Sequence, residues 1–157
     1  MQAYTKSIGP PATIEINPNT QAVLPKIIVA TTQMVLIHDV DSGQNKTIIS
    51  GISTPIKIAY SMSEERLYWL NDMQELFVYS IESGVKTKVL EMNGSGTTLT
   101  MDWVARSLYY AEKGNEVEGS SVNKVDLNYF NRGMLHVQLI FKTSSMITKL
   151  EVSPFTR

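Results

Sequence analysis

Apolar and polar positions alternate along Val35-Leu36-Ile37-His38-Asp39-Val40 and again along Leu76-Phe77-Val78-Tyr79-Ser80-Ile81. A period of two is the mark of a half-buried β-strand. Asp41-Ser42-Gly43 and Glu82-Ser83-Gly84 close the two runs as hairpin turns, with glycine free to take a positive φ. Asn93-Gly94-Ser95-Gly96 forms another turn cluster, between Val85–Glu91 and Thr98–Trp103. The pattern predicts strands at 56–61, 66–71, 75–81 and 85–91, and a second set at 98–103, 107–112, 121–127 and 134–142. One more strand is expected at 146–152, and three within 26–50.

The strand pattern repeats. A shift of 41 lays KIIVATTQMVLIHDVDSG (26–43) on LYWLNDMQELFVYSIESG (67–84), so that Gln33 meets Gln74, Ser42 meets Ser83 and Gly43 meets Gly84. The same shift lays IAYSMSEERLYW (58–69) on LTMDWVARSLYY (99–110) and brings Leu67-Tyr68-Trp69 onto Leu108-Tyr109-Tyr110. A period of about 40–45 residues with strand content is that of a propeller blade; helical repeats of similar length lack this alternation. The chain therefore reads as all-β, with complete four-stranded antiparallel blades at 56–91 and 98–142 and partial blades at 26–50 and 146–157. Ile58 and Leu99 are 41 apart, but Leu99 and Leu150 are 51 apart. The excess is expected in the connections at 113–120 and 128–134, since insertions fall on loops rather than in ladders.

Composition narrows the function. The 157 residues correspond to about one domain, and 43% hydrophobic against 18% charged residues suits a folded chain. Fourteen Lys+Arg against fifteen Asp+Glu leave a formal charge of −1, which argues against broad electrostatic binding to nucleic acid or an anionic membrane. No apolar run approaches the roughly 18–20 residues of a membrane span. The opening MQAYTKSIGPPATIE lacks the apolar core of a secretory signal. Zero cysteines exclude thiol nucleophiles, thiolate-bound zinc and disulfides. By themselves, the missing signal and missing cysteines point to the cytosol.

Few residues offer chemistry. Asn45-Lys46-Thr47 and Asn93-Gly94-Ser95 are N-glycosylation sequons, the first with the better acceptor triplet. Asp39-Val40-Asp41-Ser42-Gly43 departs from a calcium loop, because its sixth position is Gln44 and its twelfth Ser50. A turn is the simpler reading. His38 and His136 have no cysteine to join them in a metal cluster. No G-x-S-x-G elbow supports nucleophilic catalysis. Of acidic residues at an inner-strand end, where a propeller enzyme would hold a metal, the repeat supplies only Asp102. Glu64-Glu65-Arg66 reads as a solvated turn, and Glu112, Glu116 and Glu118 as part of a charged connection. Leu67, Tyr68, Trp69, Asp102, Trp103, Leu108, Tyr109 and Tyr110 recur at the structural period and read as repeat core rather than as a stacking platform. No catalytic residue, metal site or cofactor is expected.

LTMDWVARSLYYAE (99–112) and ERLYWLND (65–72) resemble the YWTD six-bladed propellers of low-density-lipoprotein receptors, with YWLN (68–71) and YYAE (109–112) in place of the motif. The chain more closely resembles the propeller region of Sevenless/Ros receptor tyrosine kinases, where a long charged loop such as KGNEVEGSSVNKVDL (113–127) follows an LYY-type strand. QAYTKSIGPPATI (2–14) resembles the last strand of a fibronectin type III module, which makes 1–14 the end of such a module and 15–25 a linker. The resemblance implies a segment, 26–157, of an incomplete six-bladed propeller that completes its ring with further blades of a parent chain. It also reverses the compartment, to the extracellular side of a single-pass membrane receptor, with no direct membrane insertion by the segment itself. The implied function is non-catalytic: recognition of a protein ligand, with Lys113, Glu116 and Glu118 as the candidate partner loop, and signalling by a kinase domain elsewhere. No G-x-G-x-x-G, VAIK or HRD motif occurs in the chain. Endocytic receptor relatives would be flanked by cysteine-rich modules, and a lactonase-like propeller enzyme would need more metal ligands than Asp102.

Overall fold

The computed structural model describes residues 26–114 and 119–153. The fibronectin-like start, the linker, and Glu116 and Glu118 of the charged connection lie outside the described residues. Among the described residues eleven strands are formed: β1 (Lys26–Ala30), β2 (Met34–Asp39), β3 (Asn45–Ser50), β4 (Pro55–Ser61), β5 (Arg66–Asn71), β6 (Glu75–Ser80), β7 (Lys86–Glu91), β8 (Ser95–Asp102), β9 (Ser107–Lys113), β10 (Ser120–Asp126) and β11 (Val137–Thr143). One helical turn, α1 (Leu127–Phe130), interrupts the series. The strands make three sheets in chain order, β1-β2-β3, β4-β5-β6-β7 and β8-β9-β10-β11. Every pairing is antiparallel.

The 41-residue period extends to backbone irregularities. The β4–β5 ladder slips between Pro55 and Lys57, and the β8–β9 ladder slips between Gly96 and Thr98. The β2–β3 ladder slips at Val35/Leu36, and the β6–β7 ladder at Leu76/Phe77. Glu65 and Arg106, one period apart, both adopt a positive φ, 48° and 51°. Such bulges and left-handed residues aim the chain rather than stabilise it, so their recurrence marks a repeated design.

The core forms between sheets. Alternate side chains of β5 point opposite ways, and each set finds a neighbouring sheet. Leu67 and Trp69 pack with Val35 and Ile52 in a cluster joined by Ile28, Ile49 and Phe77, between the first and second sheets. Tyr68 and Leu70 pack with Leu76, Leu99, Leu108, Tyr110 and Val125, between the second and third. Trp69 is 1% exposed and stacks on Phe77 with ring centroids 5.3 Å apart.

Two expectations need correction. Residues 146–152 form no strand. A strand needs a ladder partner, and here the Ile147 N–H donates to the Ser120 hydroxyl (3.4 Å) and the Leu150 N–H to the Thr98 hydroxyl (3.3 Å). The segment leans on side chains of the third sheet instead of pairing with a neighbouring strand. The last connection, expected as a plain loop at 128–134, spans 127–136 and holds α1, capped by Asp126, whose carboxylate accepts from the Asn128 and Tyr129 N–H groups. The excess length does fall on connections. The β9–β10 link takes 114–119 where β5–β6 takes 72–74, and β10–β11 takes 127–136 where β6–β7 takes 81–85.

Trp69→Ala removes the largest side chain of a strand buried on both faces. It is expected to cost about 3–5 kcal/mol in urea denaturation. Met62→Ala, at a side chain 74% exposed, should stay within about 0.5 kcal/mol.

Candidate functional site

Two residues at the end of the repeated aromatic strand tie sheet to sheet. Asn71 ends β5 and is buried. Its Oδ1 accepts from the Met73 and Glu75 N–H groups at 3.1 and 2.8 Å, closing the β5–β6 turn. Its Nδ2 donates to Ser53 Oγ at 2.9 Å, in the crossing between the first and second sheets, and to Glu75 at 2.9 Å. That amide, with the Lys88 ammonium behind it, holds the Glu75 carboxyl below the usual carboxylate range. One period on, Glu112 does the same work with a carboxylate. Oε2 accepts from the Asn93 and Gly94 N–H groups at 3.1 and 3.3 Å, in the crossing between the second and third sheets. Oε1 accepts from Ser121 Oγ (3.3 Å) and Asn123 Nδ2 (3.1 Å) on the adjacent strand. With four donors on two oxygens, Glu112 is a structural anchor with little left for a metal or a substrate.

Beside Glu112 lies a cleft of about 250 Å³ lined by Asn93, Gly114, Gly119, Leu139 and Lys142. Its walls require glycine. A Cβ on Gly94 would stand 2.2 Å from the Lys113 carbonyl oxygen, and one on Gly119 (φ +68°) 2.2 Å from that of Thr143. Lys113 is exposed at the end of β9. The connection that follows is closed at its base by the Gly114 N–H donating to the Gly119 carbonyl at 2.8 Å. Gly114 and Gly119, the described ends of the candidate partner connection, thus lie in the wall of this cleft.

At the opposite end of the strands, the turn read as solvated is a clasp. Glu64 has a side chain only 14% exposed and meets Arg106 of the third sheet at 2.7 Å and Arg66 at 3.4 Å. Arg66 in turn donates to Asn131, beyond α1. The available signal was spacing, since Glu64 and Arg106 lie one residue more than a period apart. Trp103, read as repeat core, is instead 67% exposed, because β8 ends at Asp102 and Trp103 opens the turn. Met62, its repeat equivalent, is exposed as well. Asp102 is half-buried, and its carboxylate accepts from the Val104 and Ala105 N–H groups at 3.0 and 2.9 Å, capping its own turn. Leu67, Tyr68, Trp69, Leu108 and Tyr110 are buried. Tyr109 is half-buried on the face of the third sheet turned away from the second.

The remaining candidates sit apart. His38 Nδ1 pairs with Asn45 Oδ1 at 2.9 Å in the first sheet, while His136 lies against the Tyr129 ring at 5.4 Å near α1. Asp39 accepts from the Asp41 and Ser42 N–H groups, as a turn residue does, and the bonds from Ser42 draw its carboxyl below the usual range. Among the described residues no group of three or more His, Cys, Asp or Glu could hold a metal ion, and no helix is long and apolar enough to cross a membrane. Asn45 and Asn93 are both exposed.

No protein-family model matches the chain. Protein sevenless of Drosophila virilis is 26% identical over 130 residues, 83% of this chain and 5% of its own length. The proto-oncogene tyrosine-protein kinase ROS of Gallus gallus is 28% identical over 164 residues, 99% of this chain and 7% of its own. The chain is similar to receptor tyrosine kinases. It spans only about one-twentieth of the Sevenless relative that it matches. Among solved structures, an auxiliary nutrient binding protein from Bacteroides thetaiotaomicron aligns with a TM-score of 0.58 at 14% identity, over 74% of this chain and 27% of that one. Hydrazine synthase of Kuenenia stuttgartiensis aligns with a TM-score of 0.55 at 17% identity, over 73% and 34%. These neighbours share the fold alone, a propeller-like array of antiparallel sheets.

Glu112→Ala strands four donors and is expected to cost about 2–3 kcal/mol in chemical denaturation, with Glu112→Gln losing about half of that. Gly94→Ala should cost at least about 2 kcal/mol, since backbone must move to admit a methyl group. A third expectation concerns alkaline pH. Burial, with the Glu112 charge behind it, pushes the Tyr110 phenol up to about 12 from an ordinary 10.0. The folded chain thus holds a proton that the unfolded chain releases. The stability this supplies is whole below pH 10 and is lost as pH rises toward 12. Tyr110→Phe should flatten the fall in melting temperature over that window.

Proposed function

We propose that this chain is a non-catalytic extracellular segment of a receptor tyrosine kinase, contributing to recognition of a protein ligand whose binding is signalled by a kinase domain elsewhere in the parent. The observation that carries this reading is the similarity to ROS along 99% of the chain, joined by the similarity to Sevenless along 83%. The sheets are read as blades of a six-bladed YWTD-type propeller, 56–91 and 98–142 complete and 26–50 partial. Further blades of the parent complete the ring. Residues 1–14 are read as the end of a fibronectin type III-like module and 15–25 as a linker. The segment lies on the extracellular side of the plasma membrane, inserts nothing into the bilayer and binds no nucleic acid.

The ligand contact is assigned to the β9–β10 connection, with Lys113, Glu116 and Glu118 as its charged residues. Loops on a rigid scaffold are the ordinary carriers of recognition, and this one stands on the Gly114–Gly119 hydrogen bond beside the cleft of Leu139 and Lys142. Glu112, Asn71 and Asp102 are each engaged in hydrogen bonds of their own turns and crossings, which supports a structural role for them.

The test replaces 115–118 by Gly-Ser-Gly-Ser in the whole parent ectodomain, with circular dichroism to check folding. Affinity for the cell-surface ligand is expected to fall roughly tenfold. Unchanged affinity defeats the loop assignment. Ligand binding by an ectodomain that lacks the entire chain defeats the larger reading.

A further inference from the structure

Among the described residues β3 is an edge strand of the first sheet, with no strand paired on its side away from β2. Such an edge invites pairing with another chain, and proteins guard it with charge, bulges or cover. The outer strands at the equivalent place in the other two sheets differ in their guard. β7 begins Lys86-Thr87-Lys88, all three exposed, with Lys88 bridging to Glu75 at 3.2 Å and Glu91 at 3.5 Å. β11 is lined by exposed Val137, Leu139, Ile140 and Phe141, with Lys142 near its end. β3 has a single lysine, Lys46, ahead of the half-buried Ile48 and Ile49. That lysine is the middle residue of the sequon Asn45-Lys46-Thr47, all exposed.

We propose that Asn45 carries an N-linked glycan and that this glycan is the guard of the β3 edge. The inference rests on the extracellular reading, since only a chain in the secretory lumen meets the modifying enzyme. The local geometry favours Asn45. It opens β3 directly opposite His38, and the His38 ring engages its Oδ1 at 2.9 Å, while among the described residues Nδ2 has no hydrogen-bond partner. Asn45 and Thr47 fall on one side of the strand, as residues two apart do. Asn93 differs, because its own N–H and that of buried Gly94 are bound by Glu112, and it sits at a crossing between sheets rather than on a free edge.

The chemistry balances without oxidant or reductant. A bond forms between Asn45 Nδ2 and the anomeric carbon of an N-acetylglucosamine, and the bond from that carbon to a lipid-linked pyrophosphate breaks. The pyrophosphate leaves with the electron pair, and the amide gives up one proton. A hydrated oligosaccharide at the first residue of β3 then occupies the space that an added strand would need.

The test expresses the full parent chain in cultured animal cells and recovers it by surface biotinylation. Peptide-N-glycosidase treatment should leave aspartate in place of the asparagine at 45, read by peptide mass spectrometry. Asn45→Gln and Thr47→Ala should each remove one glycan, and Thr47→Ala does so with the Asn45–His38 bond intact. Both variants are expected to self-associate roughly tenfold more tightly than the parent in sedimentation, and Asn45→Lys should restore the parent's behaviour by charge. Surface-recovered protein with an unmodified Asn45 overturns the site while leaving the extracellular reading standing. An occupied Asn45 whose loss leaves association unchanged overturns the guard. Parent chain whose 26–157 region is digested by protease from the cytosolic side overturns the extracellular reading and the glycan together.

Discussion

β5 has no solvent face. From Leu67 to Asn71 every residue is buried, so a six-residue strand supplies side chains to two separate cores. One set, Leu67 and Trp69, belongs to the cluster with the first sheet; the other, Tyr68 and Leu70, belongs to the cluster with the third. Antiparallel sheets usually alternate a buried face with a wet one. A strand covered twice needs sheets on both sides of it, and the rest of the arrangement follows from that need. Each sheet stabilises its neighbours more than itself, as stacked repeats do.

Packing faces alone would let neighbouring sheets slide and rotate. The polar residues at the strand ends set the relation between them. Asn71 and Glu112 stand one repeat apart and differ in chemistry, yet each grips the turn or strand beside it and the crossing into its sheet. At the other end Glu64 joins Arg106 across the same pair of sheets. The interface between the second and third sheets is therefore pinned at both ends, with Tyr68, Leu70, Leu99 and Tyr110 filling the space between.

Departures from the repeat lie on connections and outer strands. The period holds across the inner strands and breaks in two places, the β9–β10 and β10–β11 connections. Both breaks belong to the third sheet, which also has the most apolar outer strand of the three. Variation concentrates there because length added to a connection disturbs no ladder, whereas length added to a strand shifts every side chain beyond it to the wrong face.

The sequence by itself determined what is local or strictly periodic. Alternation located the strands, Gly43 and Gly84 located the hairpin turns, and the 41-residue register predicted equivalent sheets whose bulges and left-handed residues then recur at the same spacing. Periodicity reports which residues are equivalent, but it does not report which strand lies beside which. Trp103 shares the repeat with core aromatics and is exposed, because where β8 ends depends on its ladder with β9. Residues 146–152 are expected as a further strand of the repeat and make none, since a strand exists only with a partner on its edge. Glu64 reads as a surface charge in a turn until the third sheet brings Arg106 against it. The tertiary structure alone decided these points, because each depends on groups brought together across a sheet boundary, where spacing in the chain says nothing about distance in space.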